Sequence, residues 1–210
     1  MGSRENILGR LRRIPSDYQD TSLINIPETA QPANVEMFID KARLAGAQVD
    51  RVSNDDDARE TIENLVRENN YHSIITSNDS LIRRLKLPNS LPVCNVEDIK
   101  RQEFRDIAFK AELGITSCDY GIADSGTIVI KHNHWNPRLI SLAPNHHLCI
   151  LEAQHIVPDR YSAVSALKND GICDVAAITF ITGISRSADI ALNLVLGMHG
   201  PRKVNIIIIG

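Results

Sequence analysis

The 210 residues suffice for one domain with a sizeable core, or one domain plus an arm, and 43% hydrophobic with 23% charged residues is ordinary for a soluble globular protein. A net charge of −3 excludes a broadly basic surface for nucleic acid or anionic membrane. The longest aliphatic run, residues 206–209, is far too short to span a bilayer, and Arg4, Arg10, Arg12 and Arg13 interrupt any apolar leader, so a cytoplasmic protein is expected.

Residues 3–14 predict a short helix, with Ile7, Leu8, Leu11 and Ile14 on one side and arginines opposite. Residues 15–33 hold Pro15, Pro27 and Pro32 among polar residues and read as an irregular connector. The expected division is therefore an N-terminal helix and connector at 1–33 and an α/β domain at 34–210. Asn34 is a plausible cap for a helix with Val35, Phe38, Ile39 and Ala42 at helical spacing, stopped at Gly46. A strand at 47–52 follows, then a second helix capped by Asn54. Asp55, Asp56 and Asp57 in its first turn suit the helix dipole and read as structural, not as a metal site.

Strands at 71–76 and 91–95 alternate with helices at 78–86 and 96–104. That rhythm predicts a mostly parallel sheet with helices on both faces. Neither GxGxxG nor GxxxxGK[ST] occurs, so the two best-known nucleotide loops are absent. After Gly114 the pattern changes. Residues 119–123 and 127–130 read as two strands joined by the tight turn Asp124-Ser125-Gly126. Beyond a plain hairpin, Ser125, Gly126 and Thr127 can present hydroxyls and N–H groups to a ligand beside the Asp124 carboxylate.

His132 and His134 lie two apart, and His146-His147 follow, but no carboxylate or cysteine completes an obvious metal set nearby. Residues 138–142 and 148–151 are strand-like, Pro158 suits a helix start, residues 175–182 read as a central strand and residues 204–209 as a final buried strand. The four cysteines, Cys94, Cys118, Cys149 and Cys173, include no CxxC pair, so neither a zinc ribbon nor a ferredoxin-like cluster site is visible.

The most informative stretch is 179–202. An apolar strand empties into Thr182-Gly183-Ile184-Ser185-Arg186-Ser187, an apolar segment follows, and the chain breaks at His199-Gly200-Pro201. A loop opening a helix there can hold an anion, with Gly183 allowing close backbone approach and Arg186 offering a fork of donors. The alternative is a strand–turn–helix capped by Ser185 or Ser187, with Arg186 paired to Asp189. Arg138 and Arg186 are the candidate carboxylate or phosphate clamp, and His199 is a proton-transfer candidate because imidazole titrates near neutrality.

Three ordered pieces go further. They are Ile122-Ala123-Asp124-Ser125-Gly126-Thr127, then Arg138-x-x-Ser141-Leu142-x-Pro144 with His147, then residues 181–190 with Gly197-x-His199-Gly200-Pro201. Together they resemble the lactate-utilisation (LUD) domain family, in particular its protein C branch, over about residues 34–210. The chain differs in having Ser125 and Ser187 where threonine is expected and Ile184 where proline is expected. The resemblance implies an α/β fold similar to the phosphosugar-isomerase and CoA-transferase-like superfamily. It also implies a non-redox subunit in the oxidation of L-lactate to pyruvate, with no cofactor on this chain and iron–sulfur clusters on partner subunits. A ligand site built from Asp124, Ser125, Gly126, Thr127, Arg138, Gly183, Ser185, Arg186, Ser187 and Asp189 would hold a small anion. A stand-alone enzyme for a small anionic or acyl metabolite, a regulatory or assembly protein, and a homo-oligomer stay open.

Overall fold

The computed structural model of the chain describes residues 34–171, 175–188, 194–196 and 200–210. The expected N-terminal arm and Cys173 lie outside the described residues.

Local capping and spacing explain the first elements. Asn34 Oδ1 accepts the Met37 N–H at 3.0 Å and opens α1 (Val35–Leu44), which buries Phe38, Ile39 and Ala42. Strand β1 (Gln48–Val52) follows. In α2 (Asp55–Asn69), Asn54 Oδ1 accepts the N–H groups of Asp56 and Asp57, each at 2.9 Å, and three aspartates occupy the positive end of the helix dipole. Removing that cap with Asn54→Ala is expected to lower stability by about 1 kcal/mol, seen as a shifted denaturation midpoint with an unchanged slope.

The chain continues through β2 (Ile74–Thr76), α3 (Ser80–Leu85), β3 (Val93–Asn95), α4 (Phe104–Lys110) and β4 (Leu113–Ser117). With β7 (His146–Glu152) and β12 (Lys203–Ile209), these strands form a six-stranded sheet ordered β1-β12-β7-β4-β2-β3, parallel at every pairing. One face packs Leu113, Ile115, Leu148, Ile150 and Ile207 against Ile62, Leu65 and Val66 of α2 and Leu81 and Leu85 of α3. The expected α/β architecture, a largely parallel sheet flanked by helices, is present.

On the other face α1 shares the cover with a second sheet, ordered β8-β5-β6-β9, made of β5 (Tyr120–Ile122), β6 (Thr127–His132), β8 (Ile156–Val157) and β9 (Ala177–Ile181). Phe38, Ile39, Ile128, Ile130, Leu151, Ile206 and Ile208 form the core between the layers. Helix α6 (Arg160–Asn169) covers the outside of this second sheet through Ala163 and Leu167.

Three local expectations are corrected. Residues 138–142 are not a strand: Leu139–Leu142 form the short helix α5, because the Pro137 carbonyl accepts the Ile140 N–H and Leu139 O accepts that of Ala143. Residues 175–182 are not a central strand: β9 pairs only with β6 among the described residues and is half-buried. It reads as central because Ile178 packs toward α6 while Ile181 packs into the inner core, so both faces need apolar residues. Finally, the loop after β9 leads into a strand, β10 (Arg186–Ala188), paired antiparallel with β11 (Leu194–Leu196), and not into a helix. Without a helix start at Arg186, the helix-dipole argument for an anion there lapses.

Candidate functional site

The two loops singled out in the sequence come together, but against α1. Thr127 Oγ1 donates to Ser125 Oγ at 2.9 Å and is 2.7 Å from Thr182 Oγ1, joining the β5–β6 turn to the exit of β9. Gly126 and Gly183 both have positive φ, +65° and +68°. A Cβ on Gly126 would collide with the Ala42 amide, and one on Gly183 with the Ala45 carbonyl. Their lack of side chains therefore serves close approach to the C-terminal half of α1. Arg186 Nη2 donates to Ala45 O at 3.2 Å, and the Ser185 N–H donates to Pro201 O at 3.0 Å. Asp124 is exposed, its N–H donating to Pro158 O. Ser187 lies opposite Val195 in the β10–β11 pair. Asp189 and His199 lie outside the described residues.

Beside this junction opens a cavity of about 880 Å³ at the N-terminal ends of β1 and β12, with Gly46 and Ile184 on its wall. Its charged lining is Arg43, Arg202 and Lys203 against Asp50 and Glu68. Arg43 Nη2 donates to Val49 O at 2.8 Å, and Lys203 Nζ to Asn69 Oδ1 at 3.0 Å. The floor includes His146 and Asn205, almost wholly buried. His146 Nε2 is 2.9 Å from Asn205 Oδ1 and His146 Nδ1 is 2.8 Å from the Tyr71 hydroxyl. The carboxamide oxygen only accepts, so Nε2 carries the proton and Nδ1 accepts from Tyr71. Burial lowers the His146 pKa, against the raising effect of its Asn205 bond. Sequence reading missed Arg43, Lys203, His146 and Asn205 because each is an isolated residue near an element end, with no spacing to tie them together.

Arg138 belongs elsewhere. It lies six residues beyond His132, at the far end of β6 from Thr127, roughly 17 Å along the strand. There it acts electrostatically on His132. The structure thus does not bring Arg138 to Arg186. Around His132 a polar cluster is buried between the sheets. His132 Nδ1 is 3.1 Å from Asn136 O and its Nε2 is 2.8 Å from Thr179 Oγ1, while His147 Nε2 is 2.8 Å from Thr116 Oγ1. His147 Nδ1 and Asn136 Oδ1 are buried without a hydrogen-bond partner among the described residues. Burial pushes the His147 imidazole down to about 3 and lowers His132 as well. His134 is exposed against Trp135, apart from these rings. Among the described residues no group of three or more His, Cys, Asp or Glu comes together to hold a metal ion, and no helix is long and apolar enough to cross a membrane.

Comparison with known proteins places this geometry in a family. The LUD domain model matches residues 35–209. Lactate utilization protein C of Halalkalibacterium halodurans is 35% identical over 161 residues, covering 73% of this chain and 70% of that protein. The protein of the same name from Anoxybacillus flavithermus is 30% identical over 160 residues, covering 75% and 72%. That of Oceanobacillus iheyensis is 38% identical over 111 residues, so the match takes in 51% of this chain and about half, 48%, of the relative's length. A solved DUF162 family protein from Deinococcus radiodurans shares the fold, with a TM-score of 0.65 over 83% of this chain and 95% of that one, at 22% identity. With the family model spanning both sheets and the loops between them, the chain belongs to the LUD domain family.

Proposed function

We propose that this chain is the non-redox, ligand-binding subunit of an iron–sulfur-dependent system that oxidises L-lactate to pyruvate. The observation that carries the reading is the similarity, over most of the chain, to relatives called Lactate utilization protein C. The cysteines fit it. Among the described residues, Cys118 and Cys149 are buried in the core between the sheets and Cys94 stands apart on β3, which suits a reading in which partner subunits carry the electron carriers.

In this reading a small anion sits at the basic cavity lined by Arg43, Ile184, Arg202 and Lys203, with Ser185 and Arg186 following Ile184 in the chain. Gly126 and Gly183 bring the neighbouring loops against α1, Ser125 and Thr127 tie those loops together through Thr182, Asp124 stays exposed beside them, and Ser187 follows in β10. Deletion of the gene is expected to abolish growth on L-lactate while leaving growth on pyruvate intact, with restoration by the gene in trans. Normal growth of the deletion strain on L-lactate would sink the proposal. Co-purification with a cysteine-rich iron–sulfur protein is the expected biochemical counterpart.

A further inference from the structure

A polar joint lies between the two sheets, outside the proposed anion site, and each sheet contributes one histidine–threonine pair to it. In the first sheet, His147 Nε2 on β7 is 2.8 Å from Thr116 Oγ1 on β4. In the second, His132 Nε2 on β6 is 2.8 Å from Thr179 Oγ1 on β9. Both rings point into the space between the layers. By strand alternation His147 shares a face with Cys149, and His132 with Ile128 and Ile130, all residues of the inner core. His132 acts electrostatically on the His147 ring, and its own Nδ1 is 3.1 Å from Asn136 O, so His147 and Asn136 border one joint. His147 is wholly buried and Asn136 is only 4% exposed. Even so, His147 Nδ1 and Asn136 Oδ1 have no hydrogen-bond partner among the described residues. A buried polar atom left bare costs its full desolvation, so two such atoms at one joint call for a guest.

The two atoms define the chemistry of that guest. Asn136 Oδ1 is a carboxamide oxygen and only accepts, so the guest must donate to it. Burial pushes the His147 pKa down to about 3, so the ring is neutral, with one nitrogen engaged by Thr116 and Nδ1 free to donate or accept. An anion would be repelled by the Asn136 oxygen. A cation would meet the Arg138 charge, which already lowers the His132 pKa. The remaining choice is a neutral molecule that both donates and accepts, and close-packed interiors hold few voids larger than a water molecule. We infer that an ordered water is a built-in ligand of this joint, bonded to His147 Nδ1 and Asn136 Oδ1. Each His–Thr pair stays within its own sheet, whereas the water ties β7 of the first sheet to the loop leaving β6 of the second. It satisfies Nδ1 without supplying the counter-charge that would let the ring ionise.

The test is a crystal structure of the full chain at atomic resolution. It is expected to show an ordered water at hydrogen-bond distance, about 2.7–3.2 Å, from both His147 Nδ1 and Asn136 Oδ1. In solution, magnetic relaxation dispersion of the water nuclei counts buried waters that exchange slowly. His147→Leu and Asn136→Leu each remove one of the two partners with little change in volume, and each is expected to lose one slowly exchanging water. The crystal structure of the unsubstituted chain decides the matter even if neither variant folds. A protein side chain on Nδ1 or Oδ1 in place of water overturns the inference. So does density for a metal ion or an anion at the joint, an empty joint, or an unchanged water count in either folded variant.

Discussion

Gly126→Ala is expected to lower stability by about 3 kcal/mol or more, measured by urea denaturation, whereas Gly171→Ala is expected to lose only about 1 kcal/mol. Both glycines have positive φ, +65° and +81°, so both alanines meet the same backbone penalty for the left-handed region. They differ in what the new methyl group meets. At Gly171 nothing among the described residues lies within 4 Å of it. At Gly126 it would run into the Ala42 nitrogen and α-carbon and the Lys41 carbonyl carbon, backbone of an α-helix that can retreat only as a unit. Retreat of α1 would pull Phe38 and Ile39 from the core and loosen the Ser125–Thr127–Thr182 hydroxyl chain. Equal losses at the two positions would show that α1 is not held firmly against the turn.

That contrast also marks what sequence alone conveys. Where a signal is local, it reads through: Asn34 and Asn54 as caps, Phe38, Ile39 and Ala42 as a buried stripe, residues 204–209 as a strand inside the parallel sheet. Gly126 and Gly183 were legible as places that need glycine. Their partner was not, because α1 lies more than eighty residues earlier in the chain and the same residue types serve a ligand or a helix equally well. The apolar run around Leu194–Leu196 suggested a helix and proved to be one side of a strand pair, a decision made by pairing with Arg186–Ala188 rather than by composition. The cavity was hidden for a related reason. Arg43 ends α1, His146 begins β7, and Lys203 and Asn205 lie at the start of β12, and only the parallel register aligns Lys203 with His146. Arg138 and Arg186 looked like one clamp in a linear reading, yet the length of β6 keeps them apart.

Acid is expected to destabilise the protein in a window that begins just below neutrality. Burial lowers the pKa of His132, His146 and His147, the last to about 3, whereas an unfolded histidine titrates near 6.5. Between the folded and unfolded values the unfolded chain binds protons that the folded chain refuses. Stability contributed by the neutral rings is therefore fully present above about pH 6.5 and is lost as pH falls toward the folded values. One such group changes stability by up to about 1.4 kcal/mol per pH unit, so His147 alone accounts for about 2 kcal/mol between pH 6.5 and 4.5. Asp119 works in the opposite sense, since burial raises its carboxyl pKa and the folded state then binds the extra proton, near and above the usual carboxylate range. Denaturation at pH 7.5, 6.5, 5.5 and 4.5 is expected to show the histidine-driven fall. His147→Leu should flatten it by up to about 1.4 kcal/mol per pH unit, whatever that substitution does to stability at pH 7.5. An unaltered slope in His147→Leu would mean that the ring can take up a proton between the sheets, which its burial and its neighbours His132 and His146 oppose, all of them holding its pKa down.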